Sequence, residues 1–369
     1  MKSDVTVVCG VNWGDEGKGR MVDYLAEDAQ IVARFQGGNN AGHTIINQYG
    51  HFALHLVPSG IFRPSVYNLL GPGMVIDLEG LVDEMARLNQ RGVSTERLLL
   101  SDRATVSFPF HRKLDEWEEK RLAGRAYGST KNGIAPAYGD RHLKKAVRIG
   151  DLFDRDGRRD AIARAVEWAN LLARDVYHED GFTDAQMLAW CDQFLPRLEP
   201  HVTDTVTFLE NAVQEGKNVL LEAQLGALRD VYFGIYPYTT SSCALSAFAP
   251  IGAGLFGVKA NRVVGVMKAF ATCVGEGPFV TRMTDEEASE LRESAKEYGA
   301  RTGRPRTIGH FDAVASRFGA QVQDTTELAL TKLDSLSGHK ELKLCTAYNV
   351  DGKQTERFPV TGLYRATPV

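Results

Sequence analysis

No run in the sequence approaches the ~20 apolar residues that a membrane-spanning helix requires. Cysteine is scarce. Cys9, Cys191, Cys243, Cys273 and Cys345 are odd in number and scattered. No pair has metal-site spacing, so neither a zinc site nor a disulfide framework is expected; buried free thiols in a reducing compartment are. An excess of one charge is also missing. Lys and Arg number 43 against 47 Asp and Glu, a net charge of −4, which leaves no basic footprint for nucleic acid. There is no low-complexity linker and no internal repeat, so residues 1–369 read as one elaborated domain. Met1-Lys-Ser-Asp leads straight into a strand without a signal-peptide apolar segment, and a cytoplasmic protein is expected.

What is present is apolar periodicity. Hydrophobic residues make up 43% of the chain, enough for a large core. Short apolar runs, several of them β-branched, recur at Val5–Cys9, Ile31–Phe35, Val219–Leu221, Val263–Met267, Leu328–Leu330 and Leu342–Tyr348. Helical patterns lie between several of them, at Met21–Ala26, Leu78–Leu88 and Ala161–Val176. Ala185–Val213 reads as two helices broken by Pro196. The alternation predicts an α/β fold, a mainly parallel central sheet covered by helices on both faces. Residues 155–216 lack strand signals and read as a helical insertion. Ligands in such sheets gather at the C-terminal ends of the strands. The loops after Cys9, Phe35, Glu222 and Lys332 are then expected to face one crevice.

The most informative stretch is Cys9-Gly-Val-Asn-Trp-Gly-Asp-Glu-Gly-Lys-Gly-Arg-Met-Val-Asp23. Strand, glycine-rich turn and helix make a P-loop-like nucleotide site, in which backbone N–H groups point at an anion. Lys18 adds a charge for phosphate. The usual phosphate loop has four residues between its first Gly and Gly-Lys-Ser/Thr. Here six separate Gly10 from Gly17, and Gly19 replaces the hydroxyl residue. Asp15 is an acid where phosphate alone is expected, which suits metal ligation or base catalysis beside a phosphate. A GTPase-like switch would need Ser or Thr after Lys18. A nicotinamide enzyme would need G-x-G-x-x-G after the first strand. Neither pattern is present at these positions.

Further blocks follow in order: Arg34-Phe-Gln-Gly-Gly-Asn-Asn-Ala-Gly-His-Thr44, Gly128-Ser-Thr-Lys-Asn-Gly-Ile-Ala-Pro-Ala-Tyr138, Arg148-Ile-Gly-Asp-Leu-Phe153, Tyr236-Pro-Tyr-Thr-Thr-Ser-Ser242, Val274-Gly-Glu-Gly-Pro-Phe279, Gly299-Ala-Arg-Thr-Gly-Arg304 and Thr331-Lys-Leu-Asp334. With these the chain resembles the adenylosuccinate synthetases, ligases that join L-aspartate to C6 of a purine mononucleotide using a nucleoside triphosphate. The resemblance implies Asp15 as general base on purine N1–H and as a ligand of Mg²⁺, with the Gly42 carbonyl as a further metal ligand. It implies His43 as the donor at the β–γ bridge of the triphosphate. Asn12, Gly14, Glu16, Gly17, Lys18 and Gly19 would bind the triphosphate together with Arg306, and Lys332 and Asp334 would read its base. Asn40, Ser129, Thr130, Gln224, Leu225 and Thr240 would hold the purine monophosphate. Thr302, Gly303 and Arg304 would hold aspartate. Lys144 stands where a partner subunit usually contributes an Arg to the nucleotide, so a homodimer is expected.

The chain departs from the family pattern at several ligands. Glu222-Ala-Gln-Leu-Gly226 stands for the usual Glu-Gly-Ala-Gln-Gly, placing Leu225 at the Gln position. Cys273 replaces an Arg. Ordinary bacterial members continue for roughly sixty residues more, to a loop over guanine. A shortened member with a remodelled purine pocket resembles the bacteriophage branch. Those enzymes act on dGMP with ATP or dATP and make N6-succino-2-amino-2′-deoxyadenylate, a precursor of 2-aminoadenine DNA. That substrate is the leading expectation. IMP with GTP, to which the retained Asp15 points, is the alternative.

Overall fold

The computed structural model describes residues 3–299 and 303–369. Among them, eight strands form one sheet: β1 (Val5–Gly10), β2 (Ile31–Arg34), β3 (Tyr67–Leu70), β4 (Leu98–Ser101), β5 (Val202–Thr203), β6 (Val219–Glu222), β7 (Arg262–Lys268) and β8 (Glu327–Thr331). Their order is β8-β7-β1-β6-β2-β3-β4-β5, and every neighbouring pair is parallel. The expected α/β class is therefore observed. The strand at Val202–Thr203 lies inside the stretch expected to hold helices alone, where it caps the sheet edge beside β4.

The helices are α1 (Lys18–Leu25), α2 (Leu78–Gln90), α3 (Pro109–Leu122), α4 (Ile134–His142), α5 (Arg158–Leu171), α6 (Asp184–Leu198), α7 (Thr205–Gln214), α8 (Ala249–Ala253), α9 (Asp285–Ala295) and α10 (Ala313–Val322). Alternate residues of β1 show why the central runs are apolar throughout. Val5, Val7 and Cys9 pack with Leu209 and Ala212 of α7 and with α8, whereas Val8 packs with Val22 of α1 on the opposite face. A parallel strand covered on both sides needs apolar residues at both parities. A third cluster sits over β3 and β4, where α5 and α6 pack against α2 and α3.

Two local expectations change. The helix break falls at Pro200 and the Asp204 cap, which accepts from Val206 and Thr207 N–H; Pro196 is accommodated in the last turn of α6. The run Leu342–Tyr348 becomes two short strands in separate small sheets, Leu344–Cys345 and Tyr348–Val350. Between them Thr346 and Ala347 turn their N–H groups to the Val369 carbonyl, which interrupts pairing. The five cysteines are free, and four of them are buried. Among the described residues no helix is long and apolar enough to cross a membrane.

Candidate active site

The loop from Val11 to Gly17 follows β1 and feeds α1. Gly14 and Gly17 have φ of 104° and 99°, and Asp15 itself lies in the left-handed region at φ 60°. Glu16 holds this turn from inside. Its carboxylate accepts from Asn12 N at 3.1 Å and Gly14 N at 2.8 Å, and pairs with Lys18 Nζ at 2.7 Å. Both side chains are buried. Glu16 and Lys18, expected on the triphosphate, are thus engaged with each other, and Glu16 shapes the loop. Asn12 donates to Ser316 Oγ on α10 at 3.0 Å.

The loops after the other strands close on this one. A Cβ at Gly10 would meet the Leu225 carbonyl at 2.4 Å, and one at Gly226 would meet the Asn12 carbonyl at 2.3 Å. A Cβ at Gly19 would lie 2.9 Å from that of His43, so α1 starts against His43 and has no room for a hydroxyl residue. Thr331 Oγ1, at the end of β8, donates to the Glu16 carbonyl at 2.7 Å. Asp15 faces Arg306, with Oδ2 3.2 Å from Nε. Arg306 also pairs with buried Glu297, which pairs with buried Lys268 at 2.7 Å. Burial alone would lower the Arg306 guanidinium; Asp15 and Glu297 outweigh it and raise it above its ordinary value. Asp15 and Arg306 thereby meet from segments far apart, and His43 lies against the start of α1, which follows the same loop.

His43 is held by a residue that motif reading did not assign. Its Nδ1 lies 2.5 Å from Glu222 Oε1. Glu222 also accepts from Ser59 N at 2.8 Å and Ser59 Oγ at 2.6 Å. Burial pushes the carboxyl up, but His43, Arg34 and Ser59 together hold it below the usual carboxylate range. Burial lowers His43 below the usual imidazole value against the pull of Glu222. An ionised carboxylate can only accept, so the proton sits on Nδ1 and Nε2 is the nitrogen left for a ligand.

Gln224 is turned inward. It accepts from Arg34 Nη2 at 2.5 Å and Gly38 N at 3.2 Å, and its amide donates to Asn40 Oδ1. It therefore acts as a strut under the loop carrying Asn40, Ala41 and Gly42, whereas a purine contact was expected. Leu225 sits at φ 63°, unusual for a non-glycine residue, with its side chain against Gly14. Lys332 donates to the Ala295 carbonyl at 2.7 Å, and Asp334 is exposed. Ser129 and Arg304 line one cleft of about 590 Å³. Thr130 and Lys144 are exposed, and Gly303 is in the left-handed region at φ 63°. Thr302 lies outside the described residues.

Cys273 has an evident counterpart. Arg229 Nη2 lies 2.8 Å from its Sγ and 2.9 Å from the Val274 carbonyl. Nη1 reaches the Glu276 carbonyl at 3.1 Å and the carbonyl of Tyr238. The Arg229 carbonyl accepts from Thr240 N at 2.8 Å. The Arg229 guanidinium, beside Cys273, ties the tract carrying Thr240 to the 274–276 turn. Hydrogen bonds from a charged donor contribute about 1.5–3 kcal/mol. Arg229→Ala is expected to lose about 2–3 kcal/mol in urea unfolding, and Arg229→Lys, lacking the planar fork, most of that. An unchanged unfolding midpoint in both would remove the clamp role.

The family model for adenylosuccinate synthetase matches residues 7–369. Adenylosuccinate synthetase 2 of Pseudoalteromonas translucida is 48% identical over 357 residues, 96% of this chain and 85% of that protein. The fully ligated adenylosuccinate synthetase from Plasmodium falciparum superposes with a TM-score of 0.92 at 33% identity, covering 100% of this chain and 87% of that one. The cyanophage S-2L succinoaminodeoxyadenylate synthetase bound to dGMP and dATP reaches a TM-score of 0.61 at 22% identity, covering 89% and 85%. That last likeness is one of fold alone. The expected phage-type assignment is therefore corrected: the high identities lie with bacterial adenylosuccinate synthetases.

Proposed function

The chain belongs to the adenylosuccinate synthetase family, ligases that form a C–N bond, and from that premise we propose that it joins L-aspartate to C6 of IMP with GTP as phosphoryl donor. The observation that carries this reading is the Asp15–Arg306 pair on the loop that feeds α1, with His43 packed against the first turn of that helix. Oxide is a poor leaving group, so O6 must first be phosphorylated. Asp15 takes the N1 proton, which leaves negative charge on O6. O6 attacks the γ-phosphorus, and the bond to the β–γ bridging oxygen breaks. A triphosphate beside Nε2 brings negative charge that offsets the burial of His43, so the ring takes up a proton and donates it toward the bridging oxygen. Arg306 turns from Asp15 to the transferred phosphoryl group. The amine of aspartate then attacks C6, phosphate leaves, and the excess amine proton is lost to water.

Mg²⁺ suits the donors here. It binds through one or two carboxylates plus phosphate oxygens rather than through an all-protein cage. Among the described residues no group of three or more His, Cys, Asp or Glu forms such a cage. The Asp15 carboxylate and the Gly42 carbonyl would hold it, and bound Mg²⁺ would offset charge on the triphosphate. The substrates are tested by a two-by-two assay of IMP and dGMP against GTP and ATP, each with aspartate. IMP with GTP is expected to lead by at least about tenfold in kcat/KM. A lead for dGMP with ATP of that size would return the phage-type reading.

The same reading includes a two-fold homodimer in which Lys144, exposed beside exposed Leu143, reaches the neighbour's nucleotide. Mixing inactive Asp15→Ala and Lys144→Ala subunits should restore activity, because one site per heterodimer is intact. Full activity in a monomeric species, seen by light scattering, would rule it out.

A further inference from the structure

Glu119, on α3, occupies the place of an anion. Its carboxylate accepts from three consecutive backbone N–H groups: Tyr127 at 3.0 Å, Gly128 at 3.1 Å and Ser129 at 3.1 Å. Successive N–H groups converging on one point form a nest, a main-chain device for holding phosphate. Gly128 reaches this geometry at φ 76°. The neighbouring Ser129 hydroxyl donates to Asp115, one turn earlier on α3, at 2.7 Å. Asp115 also accepts from Gly133 N at 2.9 Å. Two carboxylates from one helix thus hold donors on both sides of Ser129. The tract borders the rest of the crevice, since a Cβ at Gly128 would lie 3.3 Å from the Cα of Gly275.

We propose that Glu119 is a built-in occupant of the monophosphate subsite, which the 5′-phosphate of the nucleotide displaces on binding. The proposal rests on the function above and on the family resemblance, which puts Ser129 and Thr130 at the purine monophosphate. One set of N–H donors cannot serve a carboxylate and a phosphate dianion together, and an undisplaced carboxylate would repel the dianion. Glu119 therefore keeps the tract folded and lowers the apparent affinity for phosphate by the fraction of molecules in which the nest is open. Lys120 and Lys131 line the same cleft and can receive the displaced carboxylate. Glu119 sets the threshold concentration at which the nucleotide enters; it takes no part in the chemistry.

Calorimetric titration of wild type and Glu119→Gln with IMP, dGMP, inorganic phosphate and inosine tests this. Gln keeps the length and one acceptor oxygen but removes the charge. The variant is expected to bind IMP and inorganic phosphate about tenfold more tightly, with binding of inosine, which has no phosphate, unchanged. Hydrogen exchange supplies a second reading: amides 127–129 of the unliganded wild type should be protected, and those of the variant should exchange faster. Equal or weaker binding of phosphate-bearing ligands by the variant overturns the proposal, as does fast exchange of these amides in wild type. Failure of wild type to bind either nucleotide would instead count against the assigned function, and inorganic phosphate alone would then decide the role of Glu119.

Discussion

Asp15→Ala and His43→Asn should each fold normally, still bind the purine monophosphate, and lose nearly all turnover. Removing a positioned acid or base costs about 10²–10⁴-fold in rate. Asp15 is on a strained turn at the crevice surface, where its carboxylate supports little of the fold beyond its ion pair with Arg306. His43 is buried, and Asn retains a polar group near Glu222. Binding of the monophosphate by calorimetry and steady-state turnover separate the two effects. Retention of more than about a tenth of wild-type turnover by either variant would falsify the assignment.

Glu222→Gln should be nearly as damaging, although Glu222 is a positioning residue that acts through His43. The carboxylate orients the ring through Nδ1, and its charge favours the ionised form of fully buried Arg34, its register partner across β6 and β2. Substituting the amide lets the imidazole turn or change tautomer, a kind of outer contact that typically costs 10–100-fold. Turnover is expected to fall about 10²-fold with little change in KM. The fold should also lose about 1.5–3 kcal/mol, because hydrogen bonds from His43 and Ser59 to a charged acceptor are weakened. The depressed pKa of Glu222 has a sign: its stabilising contribution is present above the ordinary carboxylate pKa and is lost as pH falls through the lower folded value. The variant should therefore show a shallower loss of stability in acid. Normal turnover with an altered acid limb would leave Glu222 structural alone.

The residues that sequence reading missed share a property. Glu222 and His43 are 179 positions apart, and Arg229 and Cys273 are 44 apart. Glu222 was visible as the first residue of a motif, but nothing in that motif names its partner. Arg229 carried a weak signal, a charge in an otherwise apolar turn that follows the motif, and Cys273 carried the complementary one. Gln224 and Leu225 have internal contacts that the motif did not reveal, for the same reason. An amide in such a motif reads as a ligand contact until the fold turns it onto Arg34. Leu225 suggested a purine pocket emptied of a polar group, yet its side chain packs on Gly14. Leu225 was one of several departures behind the expectation of dGMP, and high identity to bacterial adenylosuccinate synthetases supports the alternative reading instead.

By itself the sequence determined whatever depends on a few consecutive residues. Apolar runs at strand length, alternating with amphipathic helices, specify a parallel sheet because both faces of each strand must be buried. Gly14 and Gly17 specify the turn after β1 because they alone adopt its positive φ without steric cost. Asp15 and His43 stood out as candidates because each is embedded in such a turn or glycine-rich loop. The tertiary structure decided which groups those residues meet. The parallel register sets Glu222 beside Arg34, α1 lies against His43, and the segment after α9 brings Arg306 to Asp15. It also decided that Glu119 fills the nest at 127–129 and that the helical stretch breaks at Pro200. These are matters of burial and register between distant segments, and local periodicity carries no information about which carboxylate will reach which donor.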